Sequence, residues 1–192
     1  MALAATLAQA QQPSPANGLF LVAKPGLVDP NFSRTVVLVT QTEDFRTVGV
    51  IVNRPTKIAL SNFHSPDLAI GNYRQPVFFG GPVMRNAIVA VFHSEAPPPA
   101  AAFHVLKNLY LTMHEQNVAS LLADPQAKYR LFAGFSGWAP RQLESEMQRE
   151  GWYVLPADEA SVFREDTSSL WDELVARATG PKAMLTPGLH AP

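Results

Sequence analysis

Gly134-Phe135-Ser136-Gly137-Trp138 sets a serine among glycines, and a serine on a sharp turn is how many hydrolases expose a nucleophile. That turn needs a small residue two positions after the serine. Trp138 stands there, and Gly137 falls one place early. No His/Asp pair carries a distinguishing signature beside it. The segment therefore reads as structural, with glycines permitting tight backbone at a strand end and Trp138 acting as a packing anchor. No catalytic residue is assigned.

Gly80-Gly81-Pro82 can present backbone N–H groups to an anion, although a turn after a buried strand needs the same residues. Neither G-x-x-x-x-G-K-[ST] nor G-x-G-x-x-G occurs, so the nucleotide-binding signatures are missing. The five histidines, His64, His93, His104, His114 and His190, lack the spacing of a helical metal site, and there is no cysteine. Disulfides and thiolate chemistry are excluded, and neither a metal nor a cofactor is expected. Glu144, Glu146 and Glu150 read as solvated or paired with Arg141 and Arg149 rather than as an acid/base pair.

Arg34 and Arg54 carry more information. Each flanks a nearly continuous apolar run, and an arginine in such a place must find a carboxylate, carbonyls or a ligand. Asp29 and Asp158 are the candidate carboxylates. Arg34 reads as a structural lock. For Arg54, beside the Asn53 amide, the lock and an anion-facing role both stand. The candidate ligand-binding set is Arg34, Asn53, Arg54, Gly80 and Gly81.

These residues hang on a series of short strands. Gly18–Ala23, Thr35–Thr40, Val48–Val52, Val77–Phe79, Ala87–Phe92, Tyr129–Phe135 and Trp152–Leu155 are apolar or β-branched runs bounded by turn residues. Asp29-Pro30 starts a turn. Residues 56–76 give no clear element beyond a helical turn near 57–62. Residues 103–123 fit either period. A helix follows Pro140 and stops at Gly151, with Pro140 in its first turn. Asp158 caps a short turn through Val162. A last helix repeats Trp171, Leu174, Val175 and Ala178, capped by Asp166 or Thr167 and closed by Gly180.

With 47% hydrophobic residues in 192, the chain can bury one sizeable core. No apolar run reaches the roughly 20 residues of a membrane span. The formal net charge of −1 gives no general pull toward nucleic acid or an anionic membrane. Residues 1–130 carry +3 and residues 131–192 carry −4, the latter on predicted helix faces. Ala8-Gln9-Ala10 looks like a signal cleavage site, but no Lys or Arg precedes a short apolar stretch. Residues 1–16 read as a disordered leader, 17–180 as one domain and 181–192 as a disordered tail.

Taken in order, several blocks resemble the YqgE/AlgH family. They are Gly18–Ala23 with Asp29–Leu38, Gly49–Pro55, Phe79–Val83, Gly137-Trp138 with Gln142–Glu144, Gly151-Trp152 with Pro156–Asp158, and Phe163 with Leu170-Trp171. Arg141 departs from the family, which usually has glycine there. Phe79 and Phe135 stand where tyrosine is frequent, and Gln41–Thr47 departs from the common Glu-His pattern. The resemblance implies an α+β fold with a mixed, strongly curved or barrel-like sheet and flanking helices. It also favours a strand at Leu109–Thr112.

The family is bacterial and cytoplasmic, and some members are labelled transcriptional regulators from an association with alginate control. No catalytic residues are established for it. The expectation is a non-enzymatic cytoplasmic regulator or ligand-binding protein, with a small anionic ligand or a protein as partner. An enzyme with a polar site near Arg34, Asn53 and Arg54 is the first alternative, and a DNA-binding protein the second. Direct nucleic-acid binding is not expected, because neither a basic stripe nor a helix-turn-helix is present.

Overall fold

Val36 to Thr40 is buried at every position, and the sheet explains why. The computed structural model describes residues 17–63, 73–149 and 151–180. The strands are β1 Leu19–Ala23, β2 Val36–Gln41, β3 Thr47–Ile51, β4 Phe78–Phe79, β5 Val83–His93, β6 Phe103–Leu106, β7 Leu109–Thr112, β8 Tyr129–Trp138 and β9 Trp152–Pro156. The helices are α1 Glu115–Ala123, α2 Gln142–Gln148, α3 Glu159–Val162 and α4 Leu170–Thr179, with a 3₁₀ turn at Leu60–Asn62.

The strands pair in the order β6-β7-β5-β8-β3-β2-β1-β9, antiparallel along the path, while β4 lies parallel to β8. The path is open, ending in β6 and β9, so the expected barrel-like closure and strong curl are corrected. A barrel needs its end strands to pair, and these do not. The α+β class stands.

Alternation along the strands separates three apolar clusters. Phe20, Val22, Val36, Leu38 and Val50 pack with Val89, Val91, Leu109, Leu111 and Phe132, and α4 adds Leu170, Trp171 and Leu174. The intervening Leu21, Ala23, Val37, Val39 and Ile51 pack instead with Trp138 and Trp152. Ala90, Phe92, Tyr110 and Leu131 form the third cluster with Val118 of α1. Strand β2 therefore has a core on both faces, which is why it lacks polar alternation.

β8 joins the two parts of the sheet. Tyr129–Phe135 pairs with β5, and Ser136–Trp138 pairs with β3. The switch follows Gly134, whose φ is 68°. Gly80 lies against it, so that a Cβ on Gly80 would sit 2.1 Å from the Gly134 carbonyl oxygen. Backbone meets backbone here, and only glycine permits it.

Several boundaries shift. Residues 103–123 resolve as β6, β7 and α1, including the strand at Leu109–Thr112. Pro140 stands outside α2, whose N-cap is Arg141. Arg141 has φ 66°, so the position where the family usually carries glycine is one that favours glycine. The C-cap of α2 is Arg149, two residues before the expected Gly151, whose N–H reaches the Glu146 carbonyl at 3.3 Å. The N-cap of α4 is Ser169, not Asp166 or Thr167, because those two organise the preceding turn. Asp158 caps α3 as expected, accepting from the Ser161 N–H at 2.8 Å. The disorder expected for residues 1–16 and 181–192, and the positions His64, Glu150 and His190, lie outside the described residues.

Candidate functional site

The loop 29–34 holds the candidate residues together. The Asp29 carboxylate accepts from the N–H groups of Asn31 and Phe32, closing the turn that Asp-Pro initiates. Phe32 then packs between Trp138 and Trp152, with ring centroids at 5.8 and 5.5 Å. Arg34 leaves the loop with φ 56°.

Asn53 lies beneath that loop. Its Oδ1 accepts from the Val36 N–H at 2.8 Å, and its Nδ2 donates to the Arg34 carbonyl at 3.0 Å. Both ends of the amide serve the backbone. Arg54 donates to the carbonyls of Asn31 (2.7 Å) and Ser33 (3.1 Å). Burial pulls its pKa down and the Asp29 charge pushes back, but a guanidinium remains protonated.

Arg34 turns the other way. Its Nη2 meets Asp172 Oδ2 at 3.0 Å, so neither Asp29 nor Asp158 is its partner. The reason is the placement of α4, whose Trp171 offers its ring 4.0 Å beneath the guanidinium. Arg34 and Arg54 thus have different partners, Asp172 and Trp171 for the first, the loop carbonyls and Phe79 for the second.

Gly80 donates its N–H to the Ala133 carbonyl at 2.9 Å and accepts from the Ile51 N–H and the Ser136 hydroxyl. Gly81 is buried against Phe135 and Ser136. The structure thus commits Gly80 to the sheet crossing and sets Gly81 beside it.

One residue at this surface was missed in the sequence. Arg85 projects from the irregular part of β5 between Val83 and Ile88, and its Nη2 donates to Asn31 Oδ1 at 3.3 Å. Its guanidinium carbon lies 5.4 Å from the Phe79 ring centroid, and that of Arg54 lies 5.7 Å from the same ring. Two cations share one aromatic ring, and both also donate to Asn31. Among the described residues neither arginine has a carboxylate ion pair. The exposed stretch Met84-Arg85-Asn86 has no motif to mark it, and only the bulge brings it to Phe79.

Three other polar groupings are held by protein partners, although Arg130 Nε is buried without one among the described residues. Glu159 accepts from Lys128 at 2.7 Å and meets His93 Nδ1 at 3.1 Å. Burial would raise its pKa, but these hydrogen bonds and charges outweigh that and lower it. Arg130 is buried in β8, donating to the carbonyls of Val162 and Arg164 with its guanidinium 4.2 Å over Phe78. Glu146 does not pair with Arg141 or Arg149. It takes the indole N–H groups of Trp138 (3.0 Å) and Trp152 (3.2 Å) on one oxygen. Among the described residues no group of acidic or histidine side chains could hold a metal ion, and no helix is long and apolar enough to cross a membrane.

Known proteins share this arrangement of sequence and fold. Residues 20–183 match the AlgH-like family model, DUF179. The chain is 33% identical to a UPF0301 protein of Streptomyces avermitilis over 172 residues, covering 88% of this chain and 89% of that protein. A UPF0301 protein of Thermobifida fusca is also 33% identical, over 91% of this chain and 93% of its own. The solution structure of the AlgH protein from Pseudomonas aeruginosa superposes with a TM-score of 0.70 at 26% identity, covering 94% of this chain and all of that one. The crystal structure of DIP2367 from Corynebacterium diphtheriae shares the fold with a TM-score of 0.69 at 24% identity, over 93% and 95% of the two chains. The chain belongs to the AlgH-like family, the YqgE/AlgH or UPF0301 proteins.

Proposed function

We propose that this protein is a non-enzymatic cytoplasmic binding protein of regulatory type, and that the Arg54–Phe79–Arg85 face takes an anionic group of its ligand or partner. The observation that supports this reading is the convergence of two guanidinium groups on the Phe79 ring, with no carboxylate ion pair for either among the described residues. A planar guanidinium suits a carboxylate or phosphate bidentately, and the ring limits hydration on one side of each cation. Arg54 spends one bond from each terminal nitrogen on loop carbonyls, which leaves each nitrogen a further N–H. Arg85 is exposed and supplies the adaptable half of the pair. Asn53 holds the platform and does not reach for the ligand.

Direct binding to nucleic acid has little support, because two arginines on one face do not make the basic stripe that a duplex requires. The test is a thermal-shift series with phosphate, pyrophosphate and citrate against potassium chloride at matched ionic strength. The native protein gains melting temperature with at least one multivalent anion, and Arg85→Ala loses that gain while keeping its own melting point. No anion-specific gain in the native protein, or an equal gain in Arg85→Ala, overturns the reading.

A further inference from the structure

The two ends of the sheet are not alike. At the β6 end the chain entering β1 covers the outer edge, and the Gly18 N–H donates to the Val105 carbonyl at 2.7 Å. At the β9 end the register with β1 fixes which backbone groups point outward. Lys24 donates its N–H to the Gly151 carbonyl at 3.0 Å, and Ala23 stands opposite Trp152. Hydrogen-bonded and non-hydrogen-bonded pairs alternate along an antiparallel ladder. Tyr153 and Leu155 therefore turn their N–H and C=O groups to Val22 and Phe20, while Trp152 and Val154 turn theirs away from β1. Apart from the ladder, no hydrogen bond among the described residues reaches the N–H or C=O of Trp152 or Val154.

The sequence of β9 leaves this edge open. Proteins blunt sheet edges with charged side chains, bulges, proline or a covering segment. Trp152-Tyr153-Val154-Leu155-Pro156 carries no charge, and its register with β1 is unbroken. Its proline stands at the last position, where Arg177 already donates to the Pro156 carbonyl at 3.2 Å. Val154 is 43% exposed, and Leu19, on the same face of the neighbouring strand, is 40% exposed. Apolar surface thus borders the row of outward groups.

Those groups are self-complementary. Two antiparallel copies of β9 about a two-fold axis at Tyr153 place Trp152 of each opposite Val154 of the other. Each such pair exchanges two N–H···O=C bonds, so every outward group of both residues is used. An axis at Val154 instead sets Pro156 opposite Trp152, and proline has no N–H to return. The Tyr153 register also sets aromatic against β-branched on one face and tyrosine against tyrosine on the other, both favourable cross-strand pairs. We infer that β9 is a dimerisation edge, to which a second copy of this chain adds antiparallel about Tyr153, continuing the sheet across an isologous interface. The edge shares no residue with the arginine face.

Sedimentation velocity of the full-length protein from about 1 μM to about 1 mM reads the association. The native protein moves from one chain mass toward two as concentration rises. Val154→Lys puts a charge in the edge and stays at one chain mass throughout, with the native melting temperature under dilute conditions. Val154→Pro removes an outward N–H that β1 does not use, and it has the same effect. The protein has no cysteine, so a single introduced thiol reports the register. Tyr153→Cys stands opposite its own copy at a Cα separation that a disulfide spans, and glutathione disulfide converts it to a linked dimer. Val154→Cys is displaced from its own copy and links at least about tenfold more slowly. A native protein that stays at one chain mass overturns the proposal and points the edge at a strand of another protein. Association of Val154→Lys equal to the native, or equal linking of the two thiol variants, also overturns it.

Discussion

The indole N–H of Trp138 donates to the Glu146 carboxylate at 3.0 Å, tying the end of β8 to α2. Trp152 donates to the same oxygen at 3.2 Å from the start of β9. No α2 side chain is fully buried, so this shared acceptor, Leu143 and the turn before the helix hold it in place.

Trp138 is only 3% exposed, and its ring packs with Phe32 and Trp152. Trp138→Ala is expected to cost about 3–5 kcal/mol, as large-to-small core changes do. Glu146→Ala leaves two indole donors unmatched and costs about 1–3 kcal/mol. Glu146→Gln retains an acceptor and costs less. Urea denaturation of the three variants measures the order.

Arg141 occupies a left-handed backbone position at φ 66°. A side chain there costs about 1–2 kcal/mol, and glycine returns roughly 0.5–1 kcal/mol of that through its own unfolded-state entropy. Arg141→Gly therefore leaves stability unchanged or raises it by up to about 1 kcal/mol. Arg141→Val lowers it, because a β-branched residue tolerates that region least. A fall in melting temperature for the glycine variant contradicts this account of the α2 start.

Asn53 and Arg34 separate a backbone lock from a surface pair. Asn53→Ala leaves the Val36 N–H and the Arg34 carbonyl without their amide partner and costs about 1–3 kcal/mol. The Arg34–Asp172 pair has side chains 63% and 59% exposed, so solvent screens it. Together with the contact to Trp171, Arg34→Ala costs about 1 kcal/mol or less. Equal losses in the two variants, by chemical denaturation, count against the distinction.

Glu173 carries a pH dependence. Hydrogen bonds from Arg164 and Ser169 pull its pKa from the ordinary 4.5 down to about 2. The folded value lies below the unfolded one, so the contribution to stability is present above pH 4.5. It is lost as pH falls toward about 2. A carboxyl-detected NMR titration is expected to place the Glu173 midpoint well below those of the solvated glutamates. Glu173→Gln flattens the stability profile in that window.

Most strands were legible because their runs are buried on one or both faces, and Val36–Val39 is the clearest case. The Asp29 turn and the Asp158 cap were legible because each uses a local side chain on a local N–H. What failed was non-local. Sheet closure depends on whether β6 and β9 pair, which no local pattern encodes. The partner of Arg34 is 138 residues away on α4, and nearer aspartates look equally suitable in one dimension. Arg85 enters the arginine face through a bulge, and Glu146 meets two tryptophans across three elements. Neither leaves a periodic trace.

Arg54 and Arg85 together are proposed to take an anion over Phe79. Calorimetric titration of inorganic pyrophosphate into the native protein and into Arg85→Glu tests it most directly. Saturable binding by the native protein is expected, with a loss of at least about tenfold in affinity for Arg85→Glu and an unchanged melting temperature. Superimposable isotherms for the two proteins, or no heat of binding in the native one, contradict it.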